Sequence, residues 1–559
     1  MLVLQVTPTR IVGDLPKNKH QTAESILQSV MSKNPLQQMA DRPLQQPGAI
    51  LLISCYELGH QPIGLAQPVG FLQQKGYAPN TLDLSVEDLD PQLIEQARMI
   101  GISVPMHTAL SLGCQVAERI RQINPDAHIC FYGLYASLNA EYLLGHLADS
   151  VIGGEYETPL VNLLDQLAHH LQSLQNTPHD TKTTSTPQIE GVSRTNSITE
   201  PFLKKISGPS SSSTKNTSDS AIFPTPTRTT LPILSEYARL EYQGQEHVVG
   251  YVEASRGCLH TCLHCPIVPV YQGRFFLFPA STVLDDIRQQ VKAGAVHITL
   301  GDPDFLNGPG HSLNIVRAMH EEFPHITFDF TTKIEHILKH QSTFKEFSQL
   351  GCLFVISAVE SFSENVLLHL DKGHTRQDIF KAHDILQTVG ITLRPSLVAF
   401  TPWTTLEDYA EMFDLVEQYG LIDCIDPVQF SVRLLIPPSS ALLTPPKTHS
   451  TPMAQFLGSL NQQKFQHTWA HPDPRMDSLQ QAVTKVVENS TKAKEDPEHT
   501  FYRLWELVYD TAGLNFSALN KSMSMNPQRV RPPRMTEPWF CCAEPTTDQF
   551  HSVEYSSKP

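Results

Sequence analysis

The chain has 559 residues, room for two large or three ordinary domains, so core size limits nothing. Acidic side chains outnumber basic ones, 57 to 41, and a net charge of −16 argues against an undirected binder of nucleic acid or anionic membrane. Ten cysteines are too sparse for a disulfide-stapled secreted scaffold, so clustered thiols point to metal or catalysis in a reducing compartment.

The N-terminus, MLVLQVTPTRIVGDLPKNKH, lacks the basic region and small-residue cleavage site of a signal peptide, and no window approaches about 20 uninterrupted apolar residues. The expectation is a cytoplasmic protein with neither a membrane nor a nucleic acid as partner. Residues 1–48 read as a loosely ordered lead with a short helix near Glu24–Met31. From Ala49 the pattern changes. AILLIS reads as a buried strand, LAQPVGFLQQKG as a helix ended by Gly76, and TLDL as a second strand. MIGISV (Met99–Val104) is a third strand, LSLGCQVAERIRQI a helix, and HICFYG and SVIGGE two more strands. Short apolar runs alternating with helical patterns predict a parallel sheet covered on both faces, so 49–172 should be a doubly wound, Rossmann-like α/β domain. Its ligand belongs over the C-terminal strand ends.

Residues 173–230 read as a disordered linker. Ser, Thr and Pro supply 27 of the 50 residues from Thr181 to Thr230, and such a stretch buries too little apolar surface to offset its ordering entropy. From Leu231 order resumes, with GYVEAS, HITLGD, TFDFTT, LFVISA, TLRPSLVAF and VQFSVRLL as strands and amphipathic helices between most of them. Six strand–helix repeats predict a partial or full (β/α) barrel over 231–440, with functional residues in the loops at the C-terminal strand ends. Residues 441–535 read as a helical extension and 536–559 as a short Cys-containing tail.

After the strand YVEAS comes Arg256-Gly257-Cys258-Leu259-His260-Thr261-Cys262-Leu263-His264-Cys265. This Cys-x-x-x-Cys-x-x-Cys loop supplies three thiolates, enough for three corners of a four-iron four-sulfur cubane and one fewer than such clusters usually take. The fourth iron is then open, as a catalytic zinc keeps an open position, and the cluster becomes a reagent. A structural zinc site completed by His260 or His264 is the other reading. It is weakened because no second ligand pair follows at suitable spacing.

On these residues the chain resembles the radical S-adenosylmethionine (radical SAM) superfamily, whose hallmark is this spacing on this loop. The resemblance implies that Cys258, Cys262 and Cys265 hold the cluster and that its open iron binds S-adenosylmethionine for reductive cleavage. It also implies cofactor contacts from Gly301, Asp302 and Asp304, where relatives carry a Gly-Gly-Glu-like motif for the methionine amino group. Ser357 and Glu360 fall where relatives place polar groups on the ribose, and FTPWTTLEDY (Phe400–Tyr409) resembles the segment along the adenine. His264 stands where an aromatic residue is usual and could stack on the adenine. Arg394 and Arg433, at the ends of later strands, could reach a carboxylate. Plainer readings remain beside these: Asp302 and Asp304 as turn or capping residues, Glu360 as a helix cap, and both arginines in structural ion pairs. Cys352 and Cys424 read as buried apolar-like residues, and His297, His320 and His336 have no assigned role.

Segment 49–172 resembles the cobalamin-binding domain that precedes the barrel in one large radical SAM class, which implies corrinoid contacts from Ser103, Gly133, Gly153 and Glu155. The Asp-x-His-x-x-Gly signature is missing. Asp126-Ala127-His128 begins it, but Phe131 replaces the glycine. The alternative is the fold without a corrinoid. The tail Thr536-Glu537-Pro538-Trp539-Phe540-Cys541-Cys542-Ala543-Glu544-Pro545 resembles that of a narrower radical SAM group with a Cys-Cys-Ala-Glu-Pro end, in some members of which selenocysteine replaces one Cys. Vicinal thiols suit soft, redox-active chemistry, so Cys541 and Cys542 are expected catalytic residues for a small-molecule substrate, thiophilic or metalloid-containing. The expected enzyme transfers a methyl or other carbon group with cobalamin, its electron coming from a donor such as a flavodoxin or ferredoxin. Its rivals are a rearrangement without cobalamin and a non-catalytic iron–sulfur or zinc protein.

Overall fold

A computed structural model describes residues 43–176, 192–194, 223–444, 453–514 and 529–537. The expected helix near Glu24–Met31 and the tail cysteines Cys541 and Cys542 lie outside the described residues.

The first domain is the doubly wound sheet that its apolar runs predict. Strands β1 (Ile50–Ser54), β2 (Asn80–Asp83), β3 (Met99–Ser103), β4 (His128–Tyr132) and β5 (Ser150–Ile152) lie in the order β2-β1-β3-β4-β5, all parallel. β6 (Val192–Arg194) pairs antiparallel with β5 at the edge. β1 and β3 are buried along their whole length, which is why they read as continuous apolar runs and not as alternation. Helices α1 (Ile63–Gln74) and α2 (Glu157–Asn176) cover one face through Leu65, Val69, Leu72, Leu160 and Leu164. The helix His107–Ile123 covers the other through Leu110, Val116 and Ile120.

The second domain is a curled half-barrel. β7 (Arg239–Tyr242) and β8 (Gln245–Val252) form a hairpin. β11 (His297–Leu300), β12 (Thr327–Thr331), β13 (Cys352–Glu360) and β14 (Thr392–Leu397) then add in parallel to β8, giving β14-β13-β12-β11-β8-β7-β17. β17 (Arg534–Met535), from the end of the described chain, pairs antiparallel with β7. Inside the numbering, β9 (Ser255–Gly257) and β10 (Phe275–Leu277) form a small antiparallel pair after β8, and β15 (Leu457–Asn461) and β16 (Gln466–Trp469) a hairpin in the otherwise helical extension.

The expected sixth strand, VQFSVRLL, is a correction. Pro427–Ser431 is a 3-10 turn, and one bridge, Phe400 to Arg433, is all that continues the sheet. Pro427 has no N–H to donate, and the Gln429 side chain takes the place of a ladder partner by accepting from the Leu397 N–H at 2.9 Å. The end of the segment read as linker is packed in place. Phe223 meets Phe71 and Phe278, and the Thr227 N–H donates to the Ala66 carbonyl at 2.8 Å. The Arg228 guanidinium, 7% exposed, pairs with Asp286 at 2.8 Å and donates to the carbonyls of Gln61 and Tyr251, so it joins both domains. No helix of the described residues is long and apolar enough to cross a membrane.

Candidate active site at the mouth of the half-barrel

The β9–β10 pair clamps the base of the thiol loop, where the Cys258 N–H donates to the Arg274 carbonyl at 3.1 Å. Gly257 has φ +82°, and a Cβ there would lie 2.5 Å from the Arg274 oxygen, so only glycine serves. The Cys265 N–H donates to the Cys262 carbonyl at 3.1 Å, and the Leu263 N–H to the Leu370 carbonyl at 3.0 Å, which folds the loop back against the helix Glu364–His369. Burial pushes the Cys258 thiol up to about 11 and raises Cys265 further, so metal binding here must release protons. A cation answers that need: the Lys372 ammonium, 2% exposed, interacts with the sulfurs of Cys262 and Cys265. It also pairs with Glu360 at 3.2 Å, and Glu360 in turn meets His264 Nε2 at 3.1 Å. Burial opposes ionisation of Glu360, but Lys372 and His264 outweigh it and hold the carboxyl at about 2. Glu360 sits at a bulge in the β13–β14 pairing with φ +64°, a backbone strain found where side chains are aimed for a purpose.

The loop after β11 brings the two aspartates to the same mouth, facing different partners. Gly301 packs on Tyr251, whose ring carbon would lie 2.0 Å from an added Cβ. Asp302 accepts from the Ala254 N–H at 3.1 Å and from the Ser255 hydroxyl, and burial pushes its carboxyl up to about 7. Asp304 caps a 3-10 turn through the Leu306 N–H at 3.1 Å and accepts from Thr332 Oγ1 at 2.6 Å and His336 Nδ1 at 3.1 Å. His336, which carried no sequence signal, therefore belongs to the mouth. Ser357 Oγ and His264 Nδ1 are buried and have no hydrogen-bond partner among the described residues. Orphaned polar atoms of this kind fit a site that a polar ligand completes.

The C-terminal strand ends of the first domain meet this mouth. Arg256, just ahead of the cysteines, lies 2.8 Å from Glu157, 3.5 Å from Glu155 and 3.5 Å from Glu253. It sits over the rings of Tyr156 and Phe278. Glu155 also accepts from the Tyr271 hydroxyl at 2.9 Å, on the C-terminal arm of the thiol loop. Thus the Gly153–Glu157 segment of the first domain grips the loop that carries the thiols. Gly153 is required by contact, since a Cβ there would lie 2.2 Å from Ser137 Cβ, and Gly133 by φ +109°. Ser103 Oγ is 3.5 Å from the Glu57 carboxyl, which accepts from the Gly64 N–H at 3.2 Å and is pushed up to about 8 by burial. At the same strand ends Ser54 Oγ and both ring nitrogens of His107 are buried without a partner among the described residues.

Arg394 and Arg433 are engaged elsewhere. Arg394 pairs with Asp426 at 2.9 Å and donates to the Pro533 carbonyl at 3.3 Å. Arg433 pairs with Asp477 at 2.7 Å and lies 3.5 Å over the Trp469 ring. Cys352 is buried in β13, Cys424 lies beside Arg394, and His297 is satisfied by Thr327 and Asp329 at 2.8 Å each. Sequence reasoning missed Arg256 and Lys372 as well as His336 and Glu57. Adjacency to Cys258 was a usable signal for Arg256. The others come from elements distant in sequence.

Residues 252–416 match the Radical SAM superfamily. Among curated proteins, hopanoid C-3 methylase of Methylococcus capsulatus is 23% identical over 366 residues, covering 64% of this chain and 64% of the relative. A tRNA-2-methylthio-N(6)-dimethylallyladenosine synthase of Chlorobium limicola is 25% identical over 182 residues, 31% of this chain and 41% of the relative. The chain thus spans less than two thirds of the length of either. Among solved structures, the cobalamin-dependent S-adenosylmethionine radical enzyme OxsB with aqua-cobalamin bound superposes with a TM-score of 0.59 at 16% identity, over 85% of this chain and 75% of that one. The radical S-adenosylmethionine methyltransferase TsrM from Kitasatospora setae, with cobalamin and a [4Fe-4S] cluster bound, gives 0.51 at 14% identity over 67% and 74%. These likenesses carry the two-domain fold, and the segment that matches the Radical SAM superfamily, residues 252–416, begins at the end of β8 and contains the three thiols.

Proposed function

We propose that this chain is a cobalamin-dependent radical SAM methyltransferase acting on a small molecule. The observation that supports this most is the Arg256 junction, where one buried guanidinium ties the strand ends of the Rossmann-like domain to the thiol loop. Two cofactor faces then address one substrate. The donor set fits each group. Three thiols from one loop beside the buried Lys372 suit a cubane with an open iron. The orphaned Ser357 Oγ and His264 Nδ1, with Gly301, Asp302 and Glu360, suit S-adenosylmethionine, whereas Asp304 faces His260 and His336. Ser54, Ser103, His107, Gly133, Gly153 and Glu155 suit a corrinoid held on the strand ends, with no axial histidine from the usual signature. When bound, these groups supply the electron for reductive cleavage and the methyl carrier. The protein's own part is to orient them and exclude water. Lys372 offsets the thiolate charge, Glu360 and His264 hold their polar edge in register, and Arg256 fixes the distance between the domains.

Cys541 and Cys542 complete the proposal as thiols that act on the substrate. Glu537 supports this. Its carboxyl accepts from the Tyr56 hydroxyl at 2.7 Å, beside the end of β1, and only three residues separate Glu537 from Cys541. Anaerobic reconstitution tests the whole reading. The expected results are about four irons per chain, 5′-deoxyadenosine with dithionite and S-adenosylmethionine, and corrinoid absorbance in protein loaded with cobalamin. An iron-free chain with its three thiols closed around zinc would overturn it. Normal turnover by Cys541→Ala, Cys542→Ala would remove the tail from the mechanism.

A further inference from the structure

A second group of donors lies beside the thiol loop. His260, between Cys258 and Cys262, places Nε2 3.6 Å from Asp304 Oδ2 and 3.3 Å from His336 Nε2. His336 comes from the helix Ile334–Lys339 after β12 and places Nδ1 3.0 Å from Asp304 Oδ2. One donor atom from each residue lies within 4.8 Å of the others. Asp304 and His336 are buried, Asp304 fully, and His260 is mostly so. One ion takes a single nitrogen of each ring, so His336 would offer either Nδ1 or Nε2, and a modest inward turn of the side chains brings donors within 4.8 Å of one another to the separations of about 3.0–3.4 Å that an ion bound at about 2.0–2.1 Å imposes. Asp304 adds an independent sign. Its Oδ1 takes the bonds from Thr332, Leu306 and His336, while Oδ2, fully buried, has no well-directed hydrogen bond.

We propose that His260, Asp304 and His336 bind a divalent transition-metal ion of the zinc or ferrous class, separate from the iron–sulfur cluster. Two imidazoles and a carboxylate suit such ions and do not suit magnesium or calcium. The outer residues are also in place. Glu335 Oε2 lies 3.7 Å from His260 Nδ1 and 3.6 Å from Lys333 Nζ. Lys333 Nζ now faces His260 Nδ1 at 3.2 Å. Metal binding at Nε2 puts the ring proton on Nδ1, so Lys333 turns to Glu335 and Glu335 accepts from His260, a carboxylate–histidine–metal arrangement. The ion would join the thiol loop to β12 and fix the loop from its far side.

The test uses the full chain carrying its iron–sulfur cluster, equilibrated anaerobically with Zn²⁺ and freed of excess. The expected result is about one zinc per chain, with an X-ray absorption edge showing only nitrogen and oxygen ligands near 2.0–2.1 Å. His336→Ala and Asp304→Asn should each lose that zinc while keeping the iron content, and Glu335→Gln should weaken it about 10-fold or more. The neighbouring His340→Ala should retain it. Should a ligand variant lose iron as well, the wild-type absorption edge alone decides. Zinc below about a tenth of an equivalent, or a zinc–sulfur shell near 2.3 Å, would overturn the assignment.

Discussion

Arg256 is the junction on which both domains depend, and Arg256→Met removes its charge while keeping most of its length. The guanidinium is 11% exposed and faces Glu157 at 2.8 Å and Glu155 and Glu253 at 3.5 Å. At an effective dielectric of about 20 each contact contributes about 5 kcal/mol of gross attraction. Desolvation cancels most of that, and breaking a buried pair costs about 3–5 kcal/mol net, because carboxylates are left without a counter-charge. The first cooperative unfolding step should therefore fall by on the order of 10 °C. Burial already raises Glu155 and Glu253, with Arg256 pulling them back down. Without it they rise further and bind protons in the folded state that the unfolded chain has released. Stability of the variant should then drop more steeply than that of the wild type as pH rises above the ordinary carboxylate range. Thermal unfolding at pH 5.5 and pH 8 checks this. A deficit that is the same at both pH values, or absent at pH 8, would refute the buried-charge account. Arg256→Lys should recover part of the loss, since it restores the charge without the planar fork.

Gly301→Ala should cost about 1–3 kcal/mol, because the new Cβ lies 2.0 Å from the Tyr251 ring. Tyr251→Phe should give no relief, since the ring carbon remains, whereas Tyr251→Val should, and denaturant midpoints of the double variants read the difference. Glu57→Gln should flatten the pH dependence of stability. The wild-type carboxyl stays protonated in the fold up to about 8, so the folded state loses stability as pH rises from about 5 to 8, by up to about 1.4 kcal/mol per unit. Chemical denaturation across that range would count against Glu57 if both proteins gave parallel curves.

Both sheets were legible from central strands such as β1, β3 and β11, which are buried throughout and read as apolar runs, and the thiol loop because its three cysteines are local in sequence. The sixth barrel strand was not. Val428, Phe430 and Val432 alternate as a strand does, yet Pro427 and the Gln429 side chain divert the backbone into a 3-10 turn. Glu155 was legible from its place after β5, but the partner that holds it, Arg256, comes from 101 residues later in the chain. Lys372 and His336 were illegible for the same reason. Each lies on a helix end or loop, and only the folded parallel sheet brings those positions to one mouth. Arg394 and Arg433 show the reverse error of position. Strand ends put them near the mouth in sequence terms, while Asp426 and Asp477 hold their guanidinium groups in ion pairs.

The end of the described chain links the barrel edge to the first domain. β17 runs antiparallel to β7, and β7 antiparallel to β8, so β17 points the same way as β8, toward the strand ends that carry the thiol loop. The Thr536 N–H donates to the Arg239 carbonyl at 2.8 Å, and Glu537 then reaches Tyr56 of the first domain. Arg394, held by Asp426, secures this segment through the Pro533 carbonyl, a hydrogen bond from a charged group worth about 1.5–3 kcal/mol. Arg394→Met should raise the open population of residues 529–537 by about 10- to 150-fold, and protease cleavage there should speed up in proportion. Iron content and substrate-free 5′-deoxyadenosine formation should hold, while the role proposed for Cys541 and Cys542 requires substrate turnover to fall. Unchanged cleavage would mean that β17 pairing alone fixes the segment. Unchanged turnover with fast cleavage would count against the role proposed for Cys541 and Cys542.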